Sequence, residues 1–384
     1  MSPLEPTDLT DEQLRAAQPL KWSLDGPEVL PAWVAEMDFA LPEAVLEEVR
    51  AYAGRGVFGY PPPPNRDGLV SALVGFADRQ WGWTVDPKRV TVVGDVMDGM
   101  RLALHHLTDG GAVVVPTPVY PPFLHLVRDA RRELVQVAID PDADAPQLPL
   151  EGIARAVAAG ARTLLLCHPH NPVGHAWTAP ELAALRDVVE PAGVHVVSDE
   201  IHAALTLPGT GFVPYATVAS PDAPVTTLVS ATKAFGMPGL RAAQIVSHRQ
   251  SDRDVLRALP PALVHGMTGM GQVASAAAYA HGDAWLEAVR ARIAANHERF
   301  RAGMAAGLPS VRIRPADAGY LAWLDLRALG VPDAAAAVAA ALACGVRVDG
   351  QDYGEGGAGH VRVNLATSPA RVDLMLERLT RAWG

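Results

Sequence analysis

The 384-residue sequence predicts an α/β protein: a large domain with a mostly parallel sheet sandwiched by helices, plus a smaller α+β domain. Three observations carry this expectation. Five near-continuous apolar runs recur from residue 89 onward: RVTVV (89–93), AVVVP (112–116), TLLLC (163–167), VHVVS (194–198) and VTTLVS (225–230). Runs that are apolar at successive positions suit strands covered on both faces, as in a parallel sheet. Between them lie helical stretches with their own punctuation, such as APELAALRDVVEPAG, where Gly193 stands at a C-cap position. Beyond about residue 280 the texture changes. A long helical stretch, GDAWLEAVRARIAANHERFRAGMAA, leads to GYLAWLDL, an Ala-rich helix, HVRVNLA and a closing helix. The expected organisation is an irregular arm over residues 1–45 that joins the small unit, a large domain over 46–280 and a small domain over 281–384.

Composition narrows the function. Hydrophobic residues make up 49% and charged residues 19%, which fits a packed globular core. Acidic residues exceed basic ones by 42 to 32, and a formal net charge of −10 argues against nucleic acid or an anionic membrane as partner. Only two cysteines occur, Cys167 and Cys344, without CxxC spacing, so a disulfide scaffold is not expected and a reducing cytoplasm is. The stretch MSPLEPTDLTDEQLR lacks the apolar region of a secretory signal. The longest apolar run, AAAAVAAALACGV, is too short to span a bilayer.

In a doubly wound sheet, ligands bind outside the carboxyl ends of the strands, so the residues just after each strand are the ones to inspect. After the first comes GDVMDGM, a Gly94-led turn that opens a helix and offers N–H groups, at Val96 and Met97, to an anion. The second strand presents Tyr120 in TPVYPPF, and the third Asn171 in HPHNPVG. The fourth leads into DEIH, with Asp199 and His202, and the fifth into SATK, with Ser230 and Lys233. Each residue alone has an ordinary explanation. A lysine in a loop is usually solvated, Asp-Glu often caps a helix, and HPHNP lacks the helical spacing of a two-histidine metal site. Their ordered occurrence at successive strand ends is what needs a chemical reason.

Pyridoxal 5′-phosphate (PLP) supplies one. It needs a lysine for its aldehyde, a carboxylate for its pyridine nitrogen, a flat group over its ring and several donors for its phosphate. Lys233, Asp199 and Tyr120 fit the first three needs. Asn171 suits the ring hydroxyl, with His202 as a second partner, and Ser230, Arg241 and the Gly94 turn suit the phosphate.

With these motifs in hand, the sequence resembles the fold-type I PLP enzymes of the class I/II aminotransferase superfamily. SATKAFGMPGLR is similar to that family's S-x-x-K and G-L-R motif, HPHNPVG to its N-P-x-G turn, and SDEIH to its aspartate strand end. LPAWVAEMDF, FGYP, PTPVYPPF, AAYAHGDAWL and GYLAWLDL resemble one branch, the MalY/PatB-type cystathionine β-lyases. The likeness implies an aminotransferase-like fold and further roles. Arg362 would grip the substrate α-carboxylate, with Asn171 and the backbone of Ala35 beside it. Tyr60 would reach the phosphate of a neighbouring subunit, making a homodimer with shared active sites. Three positions depart from the branch: Glu36 replaces an aspartate, Gly236 a frequent asparagine, and Gly94-Asp95-Val96-Met97-Asp98 replaces a neutral phosphate turn. A carboxylate beside a phosphate is repulsive, so Asp95 is expected to point away, cap the next helix or contact substrate.

The resemblance also frames the reaction. Many aminotransferases place a tyrosine three residues after the aspartate, whereas the lyase branch resembles the DEIH found here. This favours β-elimination from an S-substituted L-cysteine, cystathionine or a related conjugate, giving thiol, pyruvate and ammonia. The alternatives are transamination, decarboxylation coupled to oxidative deamination, and a non-catalytic regulatory binding role.

Overall fold

The computed structural model describes residues 5–61, 68–143, 145–264, 266–330 and 333–384. Its centre is a seven-stranded sheet among the described residues. The strands are β1 (Val90–Val93), β2 (Val113–Thr117), β3 (Leu134–Ala138), β4 (Thr163–Cys167), β5 (His195–Asp199), β6 (Val225–Val229) and β7 (Ala243–Ser247). Their order is β1-β7-β6-β5-β4-β2-β3. Strands β3, β2, β4, β5 and β6 pair in parallel, while β7 runs antiparallel to both β6 and β1.

Side-chain alternation explains the apolar runs. On β4, Leu164 and Leu166 join the core on one face of the sheet, while Leu165 and Cys167 join the core on the other. Both faces are covered, so neither set tolerates a polar residue. The five runs seen in the sequence coincide with β1, β2, β4, β5 and β6 to within a residue or so. Two further strands lack such a run. β3 is a half-buried edge strand broken by Gln136, and β7 carries the buried Gln244, whose Oε1 accepts from the Tyr279 hydroxyl at 3.0 Å.

A second core lies beside the sheet. It is built on an antiparallel sheet of β8 (Arg312–Ile313), β9 (Leu321–Asp325) and β10 (His360–Asn364), together with helices Asp283–Gly307, Ala334–Ala343 and Pro369–Trp383. Leu14, Trp22, Leu30 and Ala32 of the N-terminal arm are buried in this same core. The arm is locked by a buried ion pair: Lys21 Nζ donates to Asp38 Oδ1 at 2.7 Å, and both side chains are almost fully buried. Asp38 Oδ1 also accepts from Trp22 Nε1 at 2.9 Å, and Lys21 Nζ reaches Glu36 O at 2.9 Å. From β10, Asn364 Nδ2 donates to Val34 O and Glu36 O, each at 2.7 Å. The segment 33–38 is thereby pinned between the two cores with its peptide groups fixed.

Removing one partner of a buried pair leaves an uncompensated charge, at a cost of about 3–5 kcal/mol. Asp38→Ala should lower the stability measured by urea unfolding by about that amount, whereas an exposed pair such as Arg299–Asp373 should cost at most about 1 kcal/mol.

Candidate active site

The residues singled out at the strand ends converge at the carboxyl edge of the sheet. Lys233 lies on the single turn Ala231–Ala234 after β6, with Ser230 as its N-cap. Its Nζ donates to Ala35 O at 2.9 Å, and the same carbonyl accepts from the Tyr320 hydroxyl at 3.1 Å. Burial lowers the Lys233 pKa to about 8, and Arg362 acts in the same direction against the opposing pull of Glu36 and Asp199. A carbonyl is a weaker partner for an ammonium than a carboxylate, so desolvation prevails.

Asp199 ends β5 in a fully buried position, where Oδ1 accepts from Ile201 N at 3.1 Å. Burial raises its pKa to about 7, opposed by that hydrogen bond and by Lys233. The carboxylate therefore sits where a further cationic partner would be strongly favoured. His202, one turn on, is buried and held neutral, its pKa lowered to about 3 by burial and then by Lys233 and Arg362. Its Nδ1 is enclosed without a hydrogen-bond partner among the described residues.

Arg362 projects from β10, where its strand partner is Trp323. One Nη bonds Asn171 Oδ1 at 3.2 Å, and the other meets Asp349 and reaches Trp33 O at 3.3 Å. Its Nε is buried and unpartnered, and the guanidinium lies 5.4 Å from the Tyr353 ring centre. Tyr353 in turn donates to Asp349 Oδ2 at 2.8 Å. Tyr120 is half-buried after β2, and its N–H donates to Asn171 O at 3.1 Å. Burial raises its hydroxyl pKa; Arg362 opposes this, while Asp199, Asp349 and Asp95 add to it. Tyr120 thus lies among the charges of the site.

A second group forms the anion side. Asp95 is the N-cap of helix Val96–His106, its Oδ1 accepting from Asp98 N at 2.8 Å. The helix presents its first-turn N–H groups, including those of Val96 and Met97, beyond that cap. Gly94 is required here: a Cβ would come within 2.9 Å of the Gly266 carbonyl. Arg241 Nη2 lies 2.8 Å from Asp95 Oδ2 and 2.9 Å from Asp98 Oδ2. Ser230 Oγ donates to Ala242 O at 2.7 Å, which ties the lysine turn to the residue after Arg241. Of the three options for Asp95, the structure shows helix capping.

The donor set fits PLP on its own terms. It combines a low-pKa lysine, a buried carboxylate lacking a countercharge, an unpartnered imidazole nitrogen and a helix N-terminus with an arginine. Tyr60 is apart from this group: it is fully exposed and lines a surface groove with Tyr52, Phe58, Met267 and Met270.

Residues 34–379 match the family model of class I and II aminotransferases. The chain belongs to that family. Within it, cystathionine β-lyase PatB of Bacillus subtilis is 32% identical over 385 residues, covering 98% of this chain and 99% of PatB. Cystathionine β-lyase of Corynebacterium glutamicum is 31% identical over 369 residues, covering 96% and 97%. Among solved structures, cystalysin of Treponema denticola, which contains a PLP cofactor, superposes with a TM-score of 0.91 at 25% identity, covering 100% of this chain and 99% of that one. The aminotransferase-family fold and its MalY/PatB-like branch, expected from the motifs, are both borne out.

Three site residues were not singled out from the sequence. Asp349 and Tyr353 brace Arg362, and Tyr320 braces Ala35 O. Tyr320 was visible as part of GYLAWLDL, but nothing local to DGQDYG marks Asp349 as the partner of an arginine 13 residues on.

Only neutral lysine attacks an aldehyde. The rate of PLP condensation on cofactor-free protein should therefore rise with pH and level off just above pH 8, as a Lys233 pKa of about 8 requires. Stopped-flow absorbance at several pH values measures it. A rate still climbing toward the ordinary lysine pKa of about 10.4 would contradict the assignment.

Proposed function

We propose that this chain is a PLP-dependent C–S lyase that performs β-elimination on an S-substituted L-cysteine, releasing thiol, pyruvate and ammonia. The observation that carries the reading is Lys233. The sequence holds three lysines: Lys21 is locked to Asp38, Lys88 is exposed at the opposite, amino-terminal end of β1, and Lys233 alone stands at the strand ends.

The residues divide the work. PLP, when bound, withdraws electrons from the bonds at an amino acid's Cα. Lys233 would hold the cofactor aldehyde and, with its Nζ free, would take the substrate Cα proton. A pKa of about 8 keeps a useful neutral fraction at neutral pH. Asp199 would hold the ring nitrogen protonated, which would relieve its own unfavourable burial. Tyr120 would cover the ring, Asn171 and His202 would serve the ring hydroxyl, and Ser230, Arg241 and the Val96 and Met97 N–H groups would serve the phosphate. Arg362, braced by Asp349, grips the α-carboxylate beside Asn171 and the Ala35 backbone. The sulfur leaves as thiolate, its bond electrons going to the sulfur as the pair freed by Cα deprotonation forms the Cα–Cβ double bond, and water then hydrolyses the released aminoacrylate to pyruvate and ammonia.

Elimination is favoured over transamination by the names of the relatives at 31–32% identity and by His202 in the position three after Asp199. Transamination uses the same residues up to removal of the Cα proton and then returns a proton with the Cβ–S bond left intact.

The neighbouring copy of the chain completes the site. Val57, Phe58 and Tyr60 are exposed at 77%, 64% and 102%, an apolar patch suited to a protein partner and not to water. A homodimer would cover it and place Tyr60 against the partner's phosphate. Both cysteines are free, consistent with a cytoplasmic enzyme.

Purified protein with PLP should absorb at the visible edge of the ultraviolet, and Lys233→Ala should abolish that band. With cystathionine and other cysteine S-conjugates, pyruvate and free thiol should appear in equal amounts without added amino acceptor. Keto acid formed only when an acceptor is supplied would replace the lyase reading by the aminotransferase one.

A further inference from the structure

We propose that Asp95 competes with the cofactor phosphate for the Arg241 guanidinium, so that this chain holds PLP less tightly than its arginine alone would allow. This competition presupposes the PLP reading above and arises at the phosphate turn, one of the places where the chain departs from its branch.

The geometry of Asp95 separates two functions on its two oxygens. Oδ1 accepts the Asp98 N–H at 2.8 Å and so caps helix Val96–His106. Capping needs no charge, since asparagine and serine cap as well as aspartate does. Oδ2 does something else: it lies 2.8 Å from Arg241 Nη2. That same nitrogen is 2.9 Å from Asp98 Oδ2. Asp98 has a second cation of its own, with Arg101 Nη1 at 2.6 Å from its Oδ1. Asp95 is therefore the carboxylate that depends on Arg241 for its countercharge.

Charge balance then limits the site. Asp95 and Asp98 against Arg101 and Arg241 sum to zero, so the turn that would receive a phosphate dianion offers no net positive charge from its side chains. The attraction comes from the helix N-terminus and from Arg241, and Arg241 is already engaged. For the phosphate to take the guanidinium, Arg241 must leave Asp95, and the phosphate must then tolerate that carboxylate as a neighbour. Arg241 can move: its side chain is half exposed, and exposed pairs of this kind are weak. The outcome is a cofactor that binds and also exchanges, with Asp95 setting the balance.

The test is equilibrium PLP titration of cofactor-free protein, monitored by absorbance and tryptophan fluorescence, for wild type, Asp95→Asn and Asp95→Ser. Both replacements keep a capping side chain, and matching thermal unfolding curves confirm that the fold is retained. The expected result is a half-saturation lower by about 3- to 10-fold in both variants at low salt, tenfold being about 1.4 kcal/mol. The gain should shrink at about 0.5 M NaCl, where charges are screened within a few ångströms. In an Arg241→Ala background the gain from Asp95→Asn should largely vanish, because no guanidinium is left to contest. Unchanged or weaker binding in both Asp95 variants overturns the proposal. So does an equal gain with and without Arg241, which would mean plain repulsion. Wild-type protein that takes up no PLP at all overturns the cofactor reading itself.

Discussion

The hydrogen bond from Lys233 Nζ to the carbonyl of Ala35 ties the N-terminal segment to the end of β6 at the point where chemistry is proposed. The lysine comes from the turn after β6 and the carbonyl from the N-terminal segment, where Ala35 packs against the same core as that turn. Because its partner is a carbonyl and not a carboxylate, the ammonium is positioned without being strongly stabilised. Burial then lowers the pKa to about 8. Much of the surrounding structure serves to hold that carbonyl still. Tyr320 shares it, Asn364 fixes the peptides on either side, and the Lys21–Asp38 pair anchors the arm that leads to it.

The other charges are arranged by the same rule of incomplete compensation. Asp199 is buried with a single backbone donor and so titrates near 7, ready to gain from a protonated ring nitrogen. His202 is kept neutral and retains a free nitrogen. Arg362 is the contrast. Asp349 neutralises it within the fold, which lets a guanidinium remain buried while part of its fork still faces the site. At the phosphate turn, Asp95 and Asp98 extend this economy to Arg241.

How much of this was legible in the sequence depends on the range of the interaction. Strands β1, β2, β4, β5 and β6 could be read because burial on both faces leaves an unbroken local signature. β3 lacks that signature because it is an edge, and β7 because it carries the polar Gln244, whose Oε1 accepts from the Tyr279 hydroxyl 35 residues along the chain. The site residues that sit directly after strands were visible for the same local reason. The roles of Asp349 and Tyr320 were not, since they arise from side-chain pairing with Arg362, 13 residues on, and with Ala35, 285 residues back. Asp95 stood out as a charge in the wrong place, but only coordinates show that one of its oxygens caps a helix and the other holds an arginine.

The central claim is that a single lysine carries the cofactor. Reducing the PLP-loaded protein with borohydride, digesting it and mapping the modified peptide by mass spectrometry addresses that claim with no assumption about substrate. The predicted result is a pyridoxyl group on Lys233, in the peptide containing SATKAFGMPGLR, and none on Lys21 or Lys88. Label on either of those lysines with Lys233 unmodified, or no label on any of the three, would contradict it.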